Sequence, residues 1–237
     1  MSKDLYPALT GAAATWQQMN FIANNLSNVN TNGYKAKRVA FQAFGERTGL
    51  LAEGYTRLAN QKDDESIGTL MQDGVDTHFA LNGKGYFAVE SAEGEVLLMR
   101  NGFFQFDNQG YLVNPMGEKV LADGGGYIQI NRDELVFNVT QEGEILDENG
   151  AARARFMVVD ADDAEPIMGT RYRGQNIRDI SGRVEIIQGA LEASNTNPFR
   201  EMIEMMQATR YFETFQKSMM TSKELDDKLN QSAKRSR

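Results

Sequence analysis

HFALNGKGYFAVE, residues 78–90, holds two short apolar runs on either side of Asn82-Gly83-Lys84-Gly85. Each run is too short for a helix and rich in residues that suit a pleated strand. Asn-Gly pairs favour tight turns because both positions tolerate positive φ. The stretch predicts two antiparallel strands joined by a hairpin. EGEVLLMRNGFFQFDNQGYLVNPMG, residues 93–117, repeats the device at Asn101-Gly102, Asn108-Gln109-Gly110 and Met116-Gly117. Strand-like runs follow at 127–130, 135–139, 155–160 and 184–188, with a turn region at 144–149. Residues 67–190 thus read as a central, mainly antiparallel β domain.

Outward from this middle the texture changes on both sides. Residues 36–66 carry Gly45, Gly49, Gly54 and the charged run 62–65, and read as a linker or irregular extension. Before them, residues 1–35 read as an N-terminal helix. Its sparse apolar positions Leu5, Leu9, Ala12, Trp16, Met19, Ala23 and Leu26 are spaced 4, 3, 4, 3, 4, 3, the period of a coiled-coil seam. An ordinary surface helix on a globular core is the alternative.

After the β middle, residues 191–237 read as a C-terminal helix. Pro198 suits a first helical turn, and Thr196 or Asn197 could cap it. Met205, Ala208, Phe212, Phe215, Met219 and Ser222 repeat at heptad spacing. Met202, Ile203, Met206 and Met220 widen the stripe, so the helix could meet more than one neighbour. A methionine-rich core helix in a monomer is the alternative. The expected fold is therefore a mainly β central domain with long N- and C-terminal α-helices pairing in a coiled-coil-like helical domain.

Composition narrows the chemistry. The 237 residues carry a formal charge of -8, which disfavours nonspecific nucleic-acid binding. Residues 1–40 sum to +3 and 198–237 to +2, leaving -13 between them. There is no cysteine, hence no disulfide or thiolate site, and no run of 18 apolar residues to cross a membrane. The N-terminus lacks the shape of a cleaved secretory signal.

His78 is the single histidine and reads as a surface strand residue rather than a general base. Asp160, Asp162, Asp163 and Glu165 lack the calcium-loop pattern and read as a solvated turn. Asp73 and Asp76 show nothing that makes them a glycosidase pair. The glycines form no phosphate loop. Neither a catalytic residue, nor a cofactor, nor a metal is expected.

The amides have a structural reading instead. A helix terminus leaves carbonyls unsatisfied, and asparagine can both donate and accept. Asn28, Asn30, Asn32 and Gly33 are read as the turn closing the first helix. Asn195, Asn197 and Pro198 are read as the passage into the second. Lys35, Lys37 and Arg38 form a small basic patch, a candidate contact with a neighbouring subunit.

Four segments carry a resemblance. LYPALTGAAATWQQMNFIANNLSNVNTNGYKAKR (5–38), GTLMQDGVDTHFALNGKGYFAV (68–89), RNGFFQFDNQGYLV (100–113) and IQGALEASNTNPFREMIEMMQATRYFETFQKSM (187–219) resemble, in order, the signatures of bacterial flagellar rod and hook proteins. Thr196 stands where relatives often have valine, and TRYFE (209–213) where QRAYE is common. The resemblance implies an axial subunit of the basal body rod. Its terminal helices would pair in an inner layer and its β domain would lie outside. It implies assembly with copies of itself and with other rod proteins, and export by the flagellar type III apparatus to a periplasmic rod without a cleaved signal. No enzymatic role, nucleic acid or membrane insertion is implied. Within the family the short central part is most similar to the proximal-rod branch, with the distal-rod branch as alternative. A cell-wall carbohydrate-binding β module is the alternative outside it.

Overall fold

The computed structural model describes residues 5–44, 47–48, 51–52, 55–130, 137–147 and 149–235. The chain is mainly β, with one long helix near each end: α1 (Leu5–Ser27) and α2 (Pro198–Arg235). It divides into two compact units. The first contains α1, the segment Ala36–Asp64 and α2. The second contains Asn28–Lys35 and Glu65–Asn195.

In the helical unit, α1 and α2 lie side by side. Gly11 sits against the ring of Phe215, and Asn25 bonds to Glu201. Both pairs of positions are two heptads apart, and one number rises as the other falls, so the helices run antiparallel. α1 turns a face of small residues inward: Ala8, Gly11, Ala12 and Thr15, then Ile22 and Asn25, are buried. The inward stripe of α2 follows the expected heptad, with Ala208 buried and Met205, Phe212, Phe215, Met219 and Ser222 half-buried.

The expectation of a linker or irregular extension at 36–66 is corrected. Strand Lys37–Phe44 pairs antiparallel with Tyr55–Asp63, with one register shift between Ala40 and Phe41. The alternating run K-R-V-A-F-Q-A-F is a competent strand, but charges and glycines around it dominate the local composition.

The β unit is built on an antiparallel sheet. Its order is Asp163–Met168, Arg171–Gln175, Val96–Met99, Tyr86–Glu90, Lys119–Val120, Leu112–Val113, Gln105–Phe106. Val158–Asp160 also pairs with Tyr86–Glu90. Phe79, Phe87, Phe104, Phe156, Leu112 and Ile128 anchor the core and are essentially inaccessible to solvent. Phe79 and Phe156 meet with tilted rings at 4.8 Å, and Phe87 meets Phe104 edge-on at 5.4 Å.

The two Asn-Gly pairs do not make the hairpins expected of them. Phe79–Asn82 pairs with Glu185–Gln188 and Tyr86–Glu90 with Val96–Met99, so 82–85 is a crossing between strands that are not partners. At Gly102 a Cβ would fall 1.8 Å from the Phe79 carbonyl oxygen. That glycine permits a close backbone approach and not a turn.

A different turn closes the hairpins, and it recurs. SAEG (91–94), DNQG (107–110), NPMG (114–117), TQEG (140–143) and DENG (147–150) share one pattern. In each, the glycine N–H donates to the carbonyl of the first residue, whose own N–H donates to the carbonyl of the residue after the glycine. The first side chain supplies an oxygen to a following amide, as Asp107 does for Gln109 and Tyr111. The five glycines have φ between 79° and 83°. This is the three-residue hairpin loop that ends in a left-handed residue.

Two further strand pairs had no clear sequence signal. Leu70–Gln72 pairs with Ala190–Glu192, and Asp163–Met168 with Arg171–Gln175. Of the run expected at 135–139, strand Asn138–Val139 is seen and 135–136 lie outside the described residues. The turn region expected at 144–149 contains strand Glu144–Leu146, paired with both Asn138–Val139 and Ala152–Arg155.

Candidate assembly surface

The helical unit leaves apolar surface outside. On α1 Leu9 is 53% exposed and Trp16 56%. These two belong to the expected seam, yet they point away from the face that meets α2. As the surface that packs on α2 the seam keeps Ala12 and shifts by one residue at two positions, from Leu9 to Ala8 and from Trp16 to Thr15. The physical reason is size. The ring of Phe215 reaches the α1 backbone only because position 11 has no side chain. Met19 and Leu26 are half-buried, and the side chain of Leu5 lies outside the described residues. On α2 Phe199, Met202, Ile203, Met206, Tyr211 and Met220 are exposed. Of these, Met202, Ile203, Met206 and Met220 are the residues expected to widen the stripe. A contiguous apolar surface is costly in water and marks an interaction site.

One end of the helical unit is fixed by a polar cluster. Asn25 is 2% exposed. Its Nδ2 donates to the Lys37 carbonyl at 3.1 Å, and its Oδ1 accepts the Lys37 N–H at 2.9 Å. A single amide side chain thus satisfies both backbone groups of Lys37, as a neighbouring strand would. Nδ2 also donates to buried Glu201 at 3.2 Å. Arg38 reaches Glu201 at 3.4 Å and Asp64 at 3.5 Å. Asn197 caps α2, its Oδ1 accepting the Arg200 N–H at 3.2 Å, with Pro198 as first helical residue. Glu201 in the first turn complements the helix dipole.

The amides singled out in the sequence are placed unevenly. In the β unit Asn28 belongs to the turn after α1, where its carbonyl accepts the Thr31 N–H at 3.1 Å. Asn30 is exposed and Asn32 half-buried. Gly33 has φ 68°, and a Cβ there would lie 2.5 Å from the Asn101 nitrogen. Asn195 Nδ2 donates to the Ser66 carbonyl at 3.1 Å. The amide that does most, Asn25, was passed over. Its spacing from Gly11, Thr15 and Ile22 puts it on the inward face of α1, but sequence alone does not separate a surface amide from a buried one.

The basic patch also divides. Lys35 is not a subunit contact in this chain: it is buried, with Nζ 2.7 Å from Glu192 Oε1 and 2.7 Å from the Ser66 carbonyl. An ammonium needs such partners to be buried. Lys37 is half-buried, and Arg38 is engaged as above.

His78 is buried rather than on the surface. Its Nδ1 lies 2.6 Å from Asp73 Oδ2, and its ring packs on Phe103 at 4.5 Å. Burial alone would raise the Asp73 carboxyl; the Val75 amide and His78 outweigh it and hold that carboxyl below its ordinary range. Arg173 holds the Glu95 carboxyl low in the same way. Asp160 and Asp162 flank Arg178. Among the described residues no group of three potential metal ligands exists, and no helix is long and apolar enough to cross a membrane. Tyr111 and Tyr127 meet edge to face, with Lys119 Nζ 4.2 Å and 4.7 Å from their ring centres.

Comparison with known proteins accounts for a chain that leaves apolar side chains exposed on both terminal helices. Residues 5–35 match the family model "Flagella basal body rod protein". Residues 80–147 match "Flagellar hook protein FlgE/F/G D1 domain", and 187–232 match "Flagellar basal body rod FlgEFG protein C-terminal". The flagellar basal-body rod protein FlgF of Rhizobium meliloti is 30% identical over 241 residues, covering 96% of each chain. The chain belongs to the flagellar basal-body rod protein family. Other rod-family relatives are FlgG of Buchnera aphidicola (subspecies Acyrthosiphon pisum), 26% identical over 98% of this chain and 100% of that one, and FlgG of Bacillus subtilis, 28% identical over 95% and 97%. These rod proteins are structural. The matches give the carbohydrate-binding alternative no support.

Proposed function

We propose that this chain is a structural subunit of the proximal rod of the bacterial flagellar basal body, FlgF-like. It assembles helically, through its terminal helices, into the shaft that transmits torque. The observation that carries the reading is the antiparallel α1–α2 pair with apolar side chains still exposed on both helices, such as Trp16 and Ile203. Such a pair suits an inner layer in which each helix packs on its own partner and on helices of neighbouring copies in a coiled-coil-like manner. Leu9, Trp16, Met202 and Ile203 then face those copies, and Arg38 remains a candidate contact with an acidic side chain. Export by the type III apparatus without a cleaved signal, and a place in the periplasmic rod, complete the reading.

The proximal assignment rests on length. Alignments to FlgF relatives span 229 to 241 residues, against 237 in this chain. Those to FlgG relatives span 253 to 274, so they open longer gaps in this chain. The second reading is a distal rod subunit, FlgG-like, which similar identities favour equally.

The test is to tag the protein and purify basal bodies. The tag should co-purify with the rod, and a deletion strain should be non-motile. Absence of the tag from intact basal bodies would end the structural reading. Complementation of the deletion by an FlgG but not an FlgF relative would turn the proximal assignment into a distal one.

A further inference from the structure

The β unit takes in a piece of chain that the sequence attaches to a helix. Residues Asn28–Lys35 follow α1 directly, yet they cluster with Glu65–Asn195. Three observations show how tightly they are held. The Gly33 N–H donates to the Glu192 carbonyl at 2.7 Å, and the Asn195 N–H donates to the Tyr34 carbonyl at 3.4 Å. Gly33 rests on the backbone of Arg100 and Asn101 so closely that no side chain fits. Tyr34 and Lys35 are each 4% exposed.

At the centre is Glu192, buried between two cations. Its Oε1 accepts from Lys35 Nζ at 2.7 Å and from the Gly68 N–H at 2.8 Å. Its Oε2 accepts from Arg100 Nε at 2.5 Å. Arg100 in turn donates to the carbonyls of Gly85 at 2.6 Å and Leu81 at 2.8 Å. One carboxylate therefore joins four stretches distant in sequence: 33–35, 66–68, 100–101 and 190–192.

Two buried cations meet on the Glu192 carboxylate. Removing Lys35 leaves Arg100 and Glu192 as a balanced pair that still has the Gly68 amide. Removing the Glu192 charge leaves two buried cations facing each other. Breaking a buried pair is far more damaging than its formation is stabilising. Such networks serve best to fix register.

We infer that Asn28–Lys35 is an internal clasp, latched by Glu192. With the strand pair Leu70–Gln72 and Ala190–Glu192 it forms one cooperative unit that opens and closes as a whole while the central sheet stays folded. Local opening in contiguous cooperative pieces is a general property of folded chains. Here the boundary of the piece is set by which backbone amides Glu192 and its neighbours hold.

Hydrogen exchange on the full-length chain, read by mass spectrometry of peptides, tests this. Peptides over 28–35, 66–72 and 188–195 should exchange at one common rate, faster than 86–99 in the central sheet. Glu192→Gln should accelerate all three by about tenfold or more and leave 86–99 unchanged. Rapid exchange of 28–35 beside slow exchange of the other two would overturn the proposal. So would acceleration confined to 188–195, or equal acceleration of 86–99. Should Glu192→Gln fail to fold, Lys35→Met carries the test, since it leaves a neutral pair. It should accelerate 28–35 and 66–72 together with little change in overall melting temperature, and unchanged exchange there would refute the clasp.

Discussion

The ring of Phe215 lies on the backbone of Gly11, with its edge 2.6 Å from where a Cβ would stand. The contact sets how near α1 and α2 approach. A larger residue at 11 must push the ring or the helix aside. Gly11→Leu should cost about 1–3 kcal/mol through overpacking, although leucine is the better helix former. Helical circular dichroism of the isolated chain should melt several degrees lower. A variant that melts higher would show that propensity, and not the contact, decides this position.

Asn25 offers a charge test without a change of size. Alanine at 25 loses the two bonds to Lys37. Aspartate keeps the acceptor and loses the donor, and places a second carboxylate beside buried Glu201. Near neutral pH Asn25→Asp should be the less stable of the two. The crowded carboxylates would bind protons more tightly folded than unfolded, so their penalty is present at high pH and relieved as pH falls. Urea midpoints of the two variants should therefore converge below about pH 4. A constant gap from pH 7 to pH 4 would mean that the two carboxylates do not interact.

Asp73 works in the opposite sense. Its carboxyl is held below its ordinary range by the Val75 amide and by His78 against the effect of burial. A depressed folded value contributes stability above the unfolded value, about 3.9, and loses it as pH falls through the folded one. Asp73→Asn should flatten the acid limb of the stability curve below about pH 4. An unchanged acid limb would show that the Asp73–His78 pair is not linked to folding.

The unit boundaries change what a minimal β fragment should contain. Cutting before residue 36 removes Gly33, Tyr34 and Lys35 from their places around Glu192. A fragment of residues 28–195 should therefore melt higher than one of 36–195, by about 1–3 kcal/mol of stability for the exposed polar groups. Equal melting temperatures would mean that the segment adds nothing to the unit it sits in.

Trp16 and Ile203 separate assembly from folding. Both are more than half exposed, so Trp16→Glu and Ile203→Asp should leave the melting temperature of the isolated chain within a degree or two. Either should abolish incorporation into basal bodies. Phe212→Asp should disturb both properties, because Phe212 lies on the stripe that faces α1. Normal motility with Trp16→Glu would remove that residue from any subunit contact.

The sequence made α2 legible because its heptad stripe and its cap at Asn197 are local properties of one helix. On α1 Ala12 is in the expected seam, but Leu9 and Trp16 stand where Ala8 and Thr15 face inward, because large apolar residues are conspicuous and small ones are not. Ala8, Gly11 and Ala12 matter for the room they leave, which only the position of Phe215 reveals. Lys35 failed for a related reason. Its spacing from Lys37 and Arg38 suggests an exposed patch, while its partner Glu192 stands 157 residues away. The β middle was readable as antiparallel, but Asn82-Gly83 and Asn101-Gly102 were credited with turns that other residues make. A glycine chosen for close approach and one chosen for positive φ look the same in one dimension.

The recurring turn from Ser91 to Gly150 separates two choices that hairpins usually bind together. Its chemistry lies in four residues, a side-chain oxygen at the first and a left-handed glycine at the last. The arms it joins differ in length, from the five residues of Tyr86–Glu90 to the two of Leu112–Val113. Arms can therefore lengthen or shorten by matched pairs of residues, which preserves the alternation of inward and outward side chains, while the turn stays unchanged. The rim of the β unit can be resized without redesign of its corners.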